Sequence, residues 1–122
     1  MFADFNRGGF EAITWGIHPE VECVPFAGWP GPSIYRGLDG WSELAAEWTE
    51  NFDEYSFEDE SVIPIQAGAL VLATQRGRIK GEEGWIRMPI AAIWSDFEEG
   101  RARSVRWFRS WDEARNAAGL RE

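Results

Sequence analysis

His18 is the chain's single histidine, and so its only side chain whose ordinary pKa lies near neutrality, which makes it the first candidate for acid–base chemistry. It precedes Pro19 where the pattern ahead of it places the C-terminal end of a helix, and there an imidazolium is better explained by the helix dipole than by catalysis. Cys23 is the only cysteine. It can form no internal disulfide, and with His18 alone beside it no Cys–His zinc set can be assembled, so no metal site is expected. An unactivated thiol of this kind is better explained as a small buried apolar group than as a nucleophile. Arg76, Arg78 and Lys80 alternate near a hairpin end, with the acidic run from Asp53 to Glu60 before them. Opposite charges on neighbouring strands pair across a sheet for on the order of a few tenths of a kcal/mol each and require no function.

The aromatic residues need more explanation. Eight Trp and eight Phe in 122 residues exceed what packing alone requires. Flat indoles are suited to walling a pocket for aromatic or polycyclic molecules, and equally to filling a core. Trp29 and Tyr35 sit in or beside a Gly- and Pro-rich stretch, from Phe26 to Gly40, that reads as a loop able to gate a cavity, with a short extended piece at Ser33 to Arg36.

The elements that would position these residues follow from periodicity. Phe2, Phe5, Phe10, Ile13 and Ile17 are spaced around Gly8-Gly9 as two short helices joined by a tight turn. Val21 to Pro25 reads as a strand ended by proline. Trp41, Leu44, Ala45, Trp48 and Phe52 form one helical stripe with acidic and polar residues on the other faces. Extended runs then follow at Tyr55 to Glu60, Val62 to Gln66, Leu70 to Arg78, Trp85 to Phe97 and Ala102 to Ser110. Gly81-Glu82-Glu83-Gly84 and Glu98-Glu99-Gly100 are turns between them, so an antiparallel meander is predicted. Trp111 to Gly119 has helix formers and a glycine stop. Helices first and most strands last point to an α+β fold with helices on one face of a curved sheet.

No repeat or low-complexity tract divides the chain, and its length suits one domain over 1–122 that buries roughly two-thirds of the extended chain's surface. The net charge of −9 argues against a nucleic-acid partner or an anionic membrane. No apolar window approaches the roughly 20 residues of a membrane span, and no signal-like start is present, so a cytoplasmic protein is expected.

The order of short motifs resembles a known family. Phe5-Asn6-Arg7-Gly8-Gly9-Phe10-Glu11-Ala12 is similar to its helix-break signature, His18-Pro19-Glu20-Val21-Glu22 to the segment that follows, and Tyr35-Arg36-Gly37 to its Y-R-G. Gly100 with the strand to Phe108, then Asp112-Glu113-Ala114 and Ala117-Ala118-Gly119-Leu120, resembles its ending. The family is the SnoaL-like group of the nuclear transport factor 2-like superfamily, and the resemblance covers nearly the whole chain. It implies a cone made of a strongly curved antiparallel sheet with about three N-terminal helices on its concave face. It also implies an internal pocket for a small hydrophobic or aromatic molecule, no cofactor, and a homodimer through the back of the sheet. The family's first helix usually starts upstream of the position of Met1, which implies either a shortened first helix with a more open pocket or a truncated start.

Aligned on that family, Val24 replaces the base aspartate of ketosteroid isomerases, Ala92 their proton-donating acid, and Met1 lies near their oxyanion-hole tyrosine. Hydrocarbon side chains cannot move protons, so ketosteroid isomerisation itself is not expected. The alignment turns Val24 and Glu22 inward on one strand, Met88, Ile90, Ala92 and Trp94 on another, and Val105, Trp107 and Arg109 on the last. With Trp48 and Tyr35 these would line the pocket. Glu22 would be a general base if buried, or a solvated or arginine-paired edge residue if not. Arg109 would hold a carboxylate or enolate, or lie on the rim. Two functions remain open: a pocket with cofactor-free acid–base chemistry drawing on Glu22, His18 and Arg109, and a non-catalytic dimerisation or interaction domain whose core is filled.

Overall fold

The computed structural model describes residues 16–120. Most of the helical segment expected before His18, with Phe2, Phe5, Phe10 and Ile13, lies outside them, as does Met1. Six strands form one sheet: β1 (Ile17–Val24), β2 (Tyr35–Arg36), β3 (Phe52–Ile65), β4 (Gly68–Ile79), β5 (Ile86–Glu98) and β6 (Arg101–Phe108), in the spatial order β2-β1-β6-β5-β4-β3. Helix α1 (Gly37–Thr49) follows β2, and α2 (Trp111–Ala117) follows β6. The expected meander is present from β3 to β6, with antiparallel pairing throughout. β1 joins it by running parallel to β6. This pairing brings the first described strand against the last and completes the sheet.

The turns form where backbone chemistry allows. Glu99 and Gly100 both have positive φ, 53° and 79°, as a two-residue hairpin requires. The two runs expected around Asp59 are one strand, β3. A bulge between Glu58 and Ser61 interrupts its register with β4, and Asp59 takes a left-handed φ of 55° there. Pro64 is tolerated because β3 is an edge strand. β1 starts earlier than expected, at Ile17. Its register with β6 shifts between Ile17 and Glu22, and within that irregular stretch the Nδ1 of His18 accepts the amide of Glu20 at 3.0 Å. His18 therefore belongs to a strand and does not close a helix.

α1 buries Gly40, Trp41, Leu44, Ala45 and Trp48, the expected stripe, because residues three and four apart share one side of a helix. It begins at Gly37 and ends at Thr49, so Phe52 belongs to β3. It approaches β2 tightly at Gly40, where a Cβ would stand 2.9 Å from the carbonyl carbon of Tyr35. The main core lies between α1 and the sheet, with Val21, Cys23, Val71, Ile90, Ala92, Trp94, Val105 and Trp107 among its members. The helices do not all share that face. α2 covers the opposite one, where Ala114 packs with Leu70, Leu72, Ala91, Ile93 and Phe108. Ser110 caps α2 by accepting the amide of Glu113, and the Trp111 indole donates to the carbonyls of Ala73 and Ile90 at 3.0 and 3.2 Å. β4 and β5 are thus apolar on both sides in their central stretch. Among the described residues no helix is long and apolar enough to cross a membrane.

At the start of β4 the strands come so close that only glycine fits. A Cβ on Gly68 would collide with the Trp94 carbonyl oxygen and stand 2.8 Å from the ring of Phe97. Gly68→Ala should therefore cost at least about 2 kcal/mol, read as a lower urea midpoint at unchanged slope. A variant as stable as the wild type would refute this account of the β3–β4 turn.

Candidate functional site

β6 ends at Phe108, which pairs with Ala91, so residues 86–90 of β5 extend beyond it with β4 as their only partner. Pro89 fits there because its missing N–H is not needed on the unpaired side. This overhang opens a cavity of about 310 Å3 at one end of the main core. Its walls are Phe26, Trp29, Trp48 and Phe52, and its border is completed by Gln75, Met88, Pro89 and Arg109. The volume is at the lower end of the range for small-molecule sites.

The aromatic wall is built around Trp48, in the last turn of α1. Trp29 stacks on it at 5.5 Å with 30° between the planes, Phe26 meets it edge-on at 5.3 Å, and Trp107 supports it from the core at 5.1 Å. Phe52 lies across Gly77, where a Cβ would stand 2.6 Å from its ring, so glycine in β4 makes room for this wall. Trp29 is held in turn by its loop. Its indole donates to the Tyr35 hydroxyl at 2.9 Å, and that hydroxyl donates to the Glu47 carboxylate at 3.1 Å. Burial pushes the Tyr35 phenol above its ordinary pKa; the Trp29 bond opposes this and Glu47 adds to it, so the hydroxyl stays protonated and keeps its donor role.

Polar groups enter the cavity with fixed orientations. Gln75 is 6% exposed, the buried polar residue in the inward register Val71, Ala73, Gln75. An indole N–H can only donate, so the Gln75 atom 3.3 Å from Trp48 Nε1 is the carbonyl oxygen. Trp48 also donates to the Tyr55 hydroxyl at 2.7 Å, and Tyr55 donates to the same Gln75 oxygen. The Gln75 oxygen is thereby occupied twice, and its amide nitrogen has no hydrogen-bond partner among the described residues. Burial raises the Tyr55 pKa, with the Trp48 bond opposing it, so this phenol remains a neutral donor. Arg109 reaches the cavity from just beyond β6, with its guanidinium 4.8 Å from the centre of the Phe26 ring. Among the described residues that border the cavity, none is a carboxylate or a histidine.

The residues singled out from sequence divide into three groups. Trp48, Met88 and Arg109 border the cavity. Ile90, Ala92, Trp94, Val105 and Trp107 face the same side of the sheet but are close-packed core beneath it, and Tyr35 is buried as the anchor of Trp29. Glu22, Val24 and His18 are elsewhere. Val21 and Cys23 are the buried members of β1, so alternation sends Glu22 and Val24 to the other face, where Glu22 pairs with Arg36 at 3.2 Å. The Glu22 carboxylate is exposed there and does not border the cavity. His18 Nε2 lies 3.5 Å from Glu98. These two residues do not join Arg109. Gln75, Phe26, Phe52 and Pro89 were not anticipated, although the polar residue in the Val71-Ala73-Gln75 alternation was a visible signal. Among the described residues no group of His, Cys, Asp or Glu is arranged to hold a metal ion.

The sequence matches no protein-family profile and no curated protein. Its structure superposes on solved ones. With a protein of unknown function from Burkholderia pseudomallei described as nuclear transport factor 2-like, the TM-score is 0.76 at 17% identity, over 96% of this chain and 90% of that one. The fold is nuclear transport factor 2-like. TerC, co-crystallised with polyporic acid, shares this fold at a TM-score of 0.74 and 18% identity, over 96% and 90% of the two chains. A provisionally assigned SnoaL-like polyketide cyclase from Jannaschia sp. shares it at 0.67 and 14%, over 94% and 81%. Within the nuclear transport factor 2-like cone of this chain, the deeper interior is occupied by its own tryptophans and the open space lies under the Trp29 loop.

Cys23 gives this packing a pH signature. Burial raises its thiol from 9.0 to about 12, against a hydrogen bond from Trp107 that lowers it. Because the folded pKa is raised, the contribution of Cys23 to stability is complete below pH 9 and is lost as pH rises toward 12. Stability should fall by about 1.4 kcal/mol per pH unit in that window beyond the decline seen in Cys23→Ala, as measured by urea unfolding at each pH. Identical slopes for the two proteins would show that the thiol is not buried.

Proposed function

We propose that the protein binds a small hydrophobic or aromatic molecule in the cavity under the Trp29 loop. One observation carries this reading: two side chains of fixed polarity, Gln75 and Arg109, converge on an otherwise aromatic space of about 310 Å3. A cavity left by imperfect packing would have no reason to hold an oriented amide and a guanidinium at its border. The deeper core is filled, so the ligand occupies the wide end of the cone and contacts Trp29, Trp48 and Met88, with Trp107 acting through Trp48.

The reading is of a binding site without proton-transfer machinery. General acid–base catalysis needs a titratable group within hydrogen-bond reach of the reacting atom. Among the described residues bordering the cavity none is an acid or a histidine, and the adjacent Tyr55 is committed to Gln75. If chemistry occurs here, Arg109 supplies charge stabilisation and the proton must move through the ligand or water.

Met88 is 42% exposed and borders the cavity, so Met88→Trp should occupy the space without disturbing the core. In a thermal-shift panel of aromatic, polycyclic and terpenoid compounds, a true ligand at 100 times its dissociation constant should add about 2.7 kcal/mol to the wild type, and the shift should be abolished in Met88→Trp. A hit that stabilises both proteins equally would place the ligand elsewhere. A panel without hits would favour the interaction-domain alternative.

A further inference from the structure

Resting on the pocket reading, we propose that the cavity is selective for an acid: a mono- or bicyclic aromatic ligand carrying a planar oxyanion, held between Arg109 and the amide nitrogen of Gln75. The chain has 21 acidic residues against 12 basic ones. In such a protein an arginine readily finds a carboxylate, and every other described arginine except Arg106 has one. Arg109 has none. Its guanidinium is positioned instead by the face of Phe26, which leaves its forked N–H donors available for a partner from outside.

The second donor is fixed by the first argument about the site. Trp48 and Tyr55 both occupy the Gln75 oxygen, so the amide can offer only N–H to the cavity. Both polar side chains among the described border residues are therefore donors, and no described carboxylate or histidine borders the cavity beside them. The nearest acidic residues on α1 are separated from the cavity: Glu47 and Glu50 border a different groove on the far side of Trp29 and Trp48, and Glu47 is already bound by Tyr35. A cationic ligand would meet Arg109 unfavourably. A neutral carbonyl would be accepted, but a carboxylate or enolate gains charge assistance from the guanidinium and accepts from both donors. The volume of about 310 Å3 limits the apolar body to one or two fused rings between the indoles.

The test uses 2-naphthoate and its neutral isostere 2-naphthamide, titrated by isothermal calorimetry into the wild type, Arg109→Gln and Arg109→Lys. The wild type should bind the acid at least about tenfold more tightly than the amide. Arg109→Gln should lose that preference, binding acid and amide with equal affinity, and Arg109→Lys should retain only part of it, because an ammonium lacks the planar fork. Arg109 is exposed, so neither substitution threatens the fold. Equal affinity of the wild type for acid and amide, or a preference that survives in Arg109→Gln, overturns the acid selectivity while leaving the pocket in place. Binding of neither compound to any of the three proteins overturns the selectivity together with the pocket.

Discussion

A buried indole N–H can donate a hydrogen bond and nothing else, and satisfying that of Trp48 organises the site. Trp48 is 8% exposed, and an unmet donor at that depth would cost on the order of 1–3 kcal/mol. The Tyr55 hydroxyl and the Gln75 oxygen meet the demand together. Once they do, the Gln75 amide has one possible orientation, and N–H is what it can offer to the cavity it borders. The same indole is the surface against which Trp29, Phe26 and Trp107 pack, so one side chain sets both the shape of the wall and the polarity of the opening.

The rest of the fold serves to hold that indole opposite a gap in the sheet. α1 delivers Trp48 because its buried stripe begins at Gly40, whose missing Cβ lets the helix approach β2 closely. The gap exists because β5 is longer than β6 and continues through Pro89 with one partner. The deeper half of the cone has no such gap: Trp41, Trp94 and Trp107 fill it with Ile90, Ala92 and Val105. Among the described residues, close-packed core and the cavity thus lie side by side on one face of the sheet.

Much of this was legible in the residues. Alternation and turn chemistry placed β4, β5 and β6 to within a few residues, and the helical stripe from Trp41 to Trp48 identified the buried face of α1. The inward register of Met88, Trp107 and Arg109 was also correct, because one anchored position on a strand fixes every second residue after it. The same rule failed on β1 through its anchor. Val21-Glu22-Cys23-Val24 alternates in polarity in a way that sends Glu22 outward, and the alignment on Val24 overrode it. His18 was misplaced for a related reason: the irregular stretch around Pro19 joins a strand, and its local composition resembles a helix end. Gln75, Phe52 and Phe26 were hidden because a cavity depends on where neighbouring strands stop, and strand length is set by tertiary pairing more than by local sequence.

The central claim is that ligand enters the space bounded by Trp29 and Trp48, and the tryptophans themselves can report it. In an amide and indole correlation NMR spectrum of 15N-labelled protein, titration with 2-naphthoate should move the indole N–H signals of Trp29 and Trp48 along one saturable curve. Those of Trp85 and Trp111, which do not border the cavity, should stay in place. Movement of Trp85 or Trp111 without Trp29 and Trp48, or no movement at all, would contradict the account.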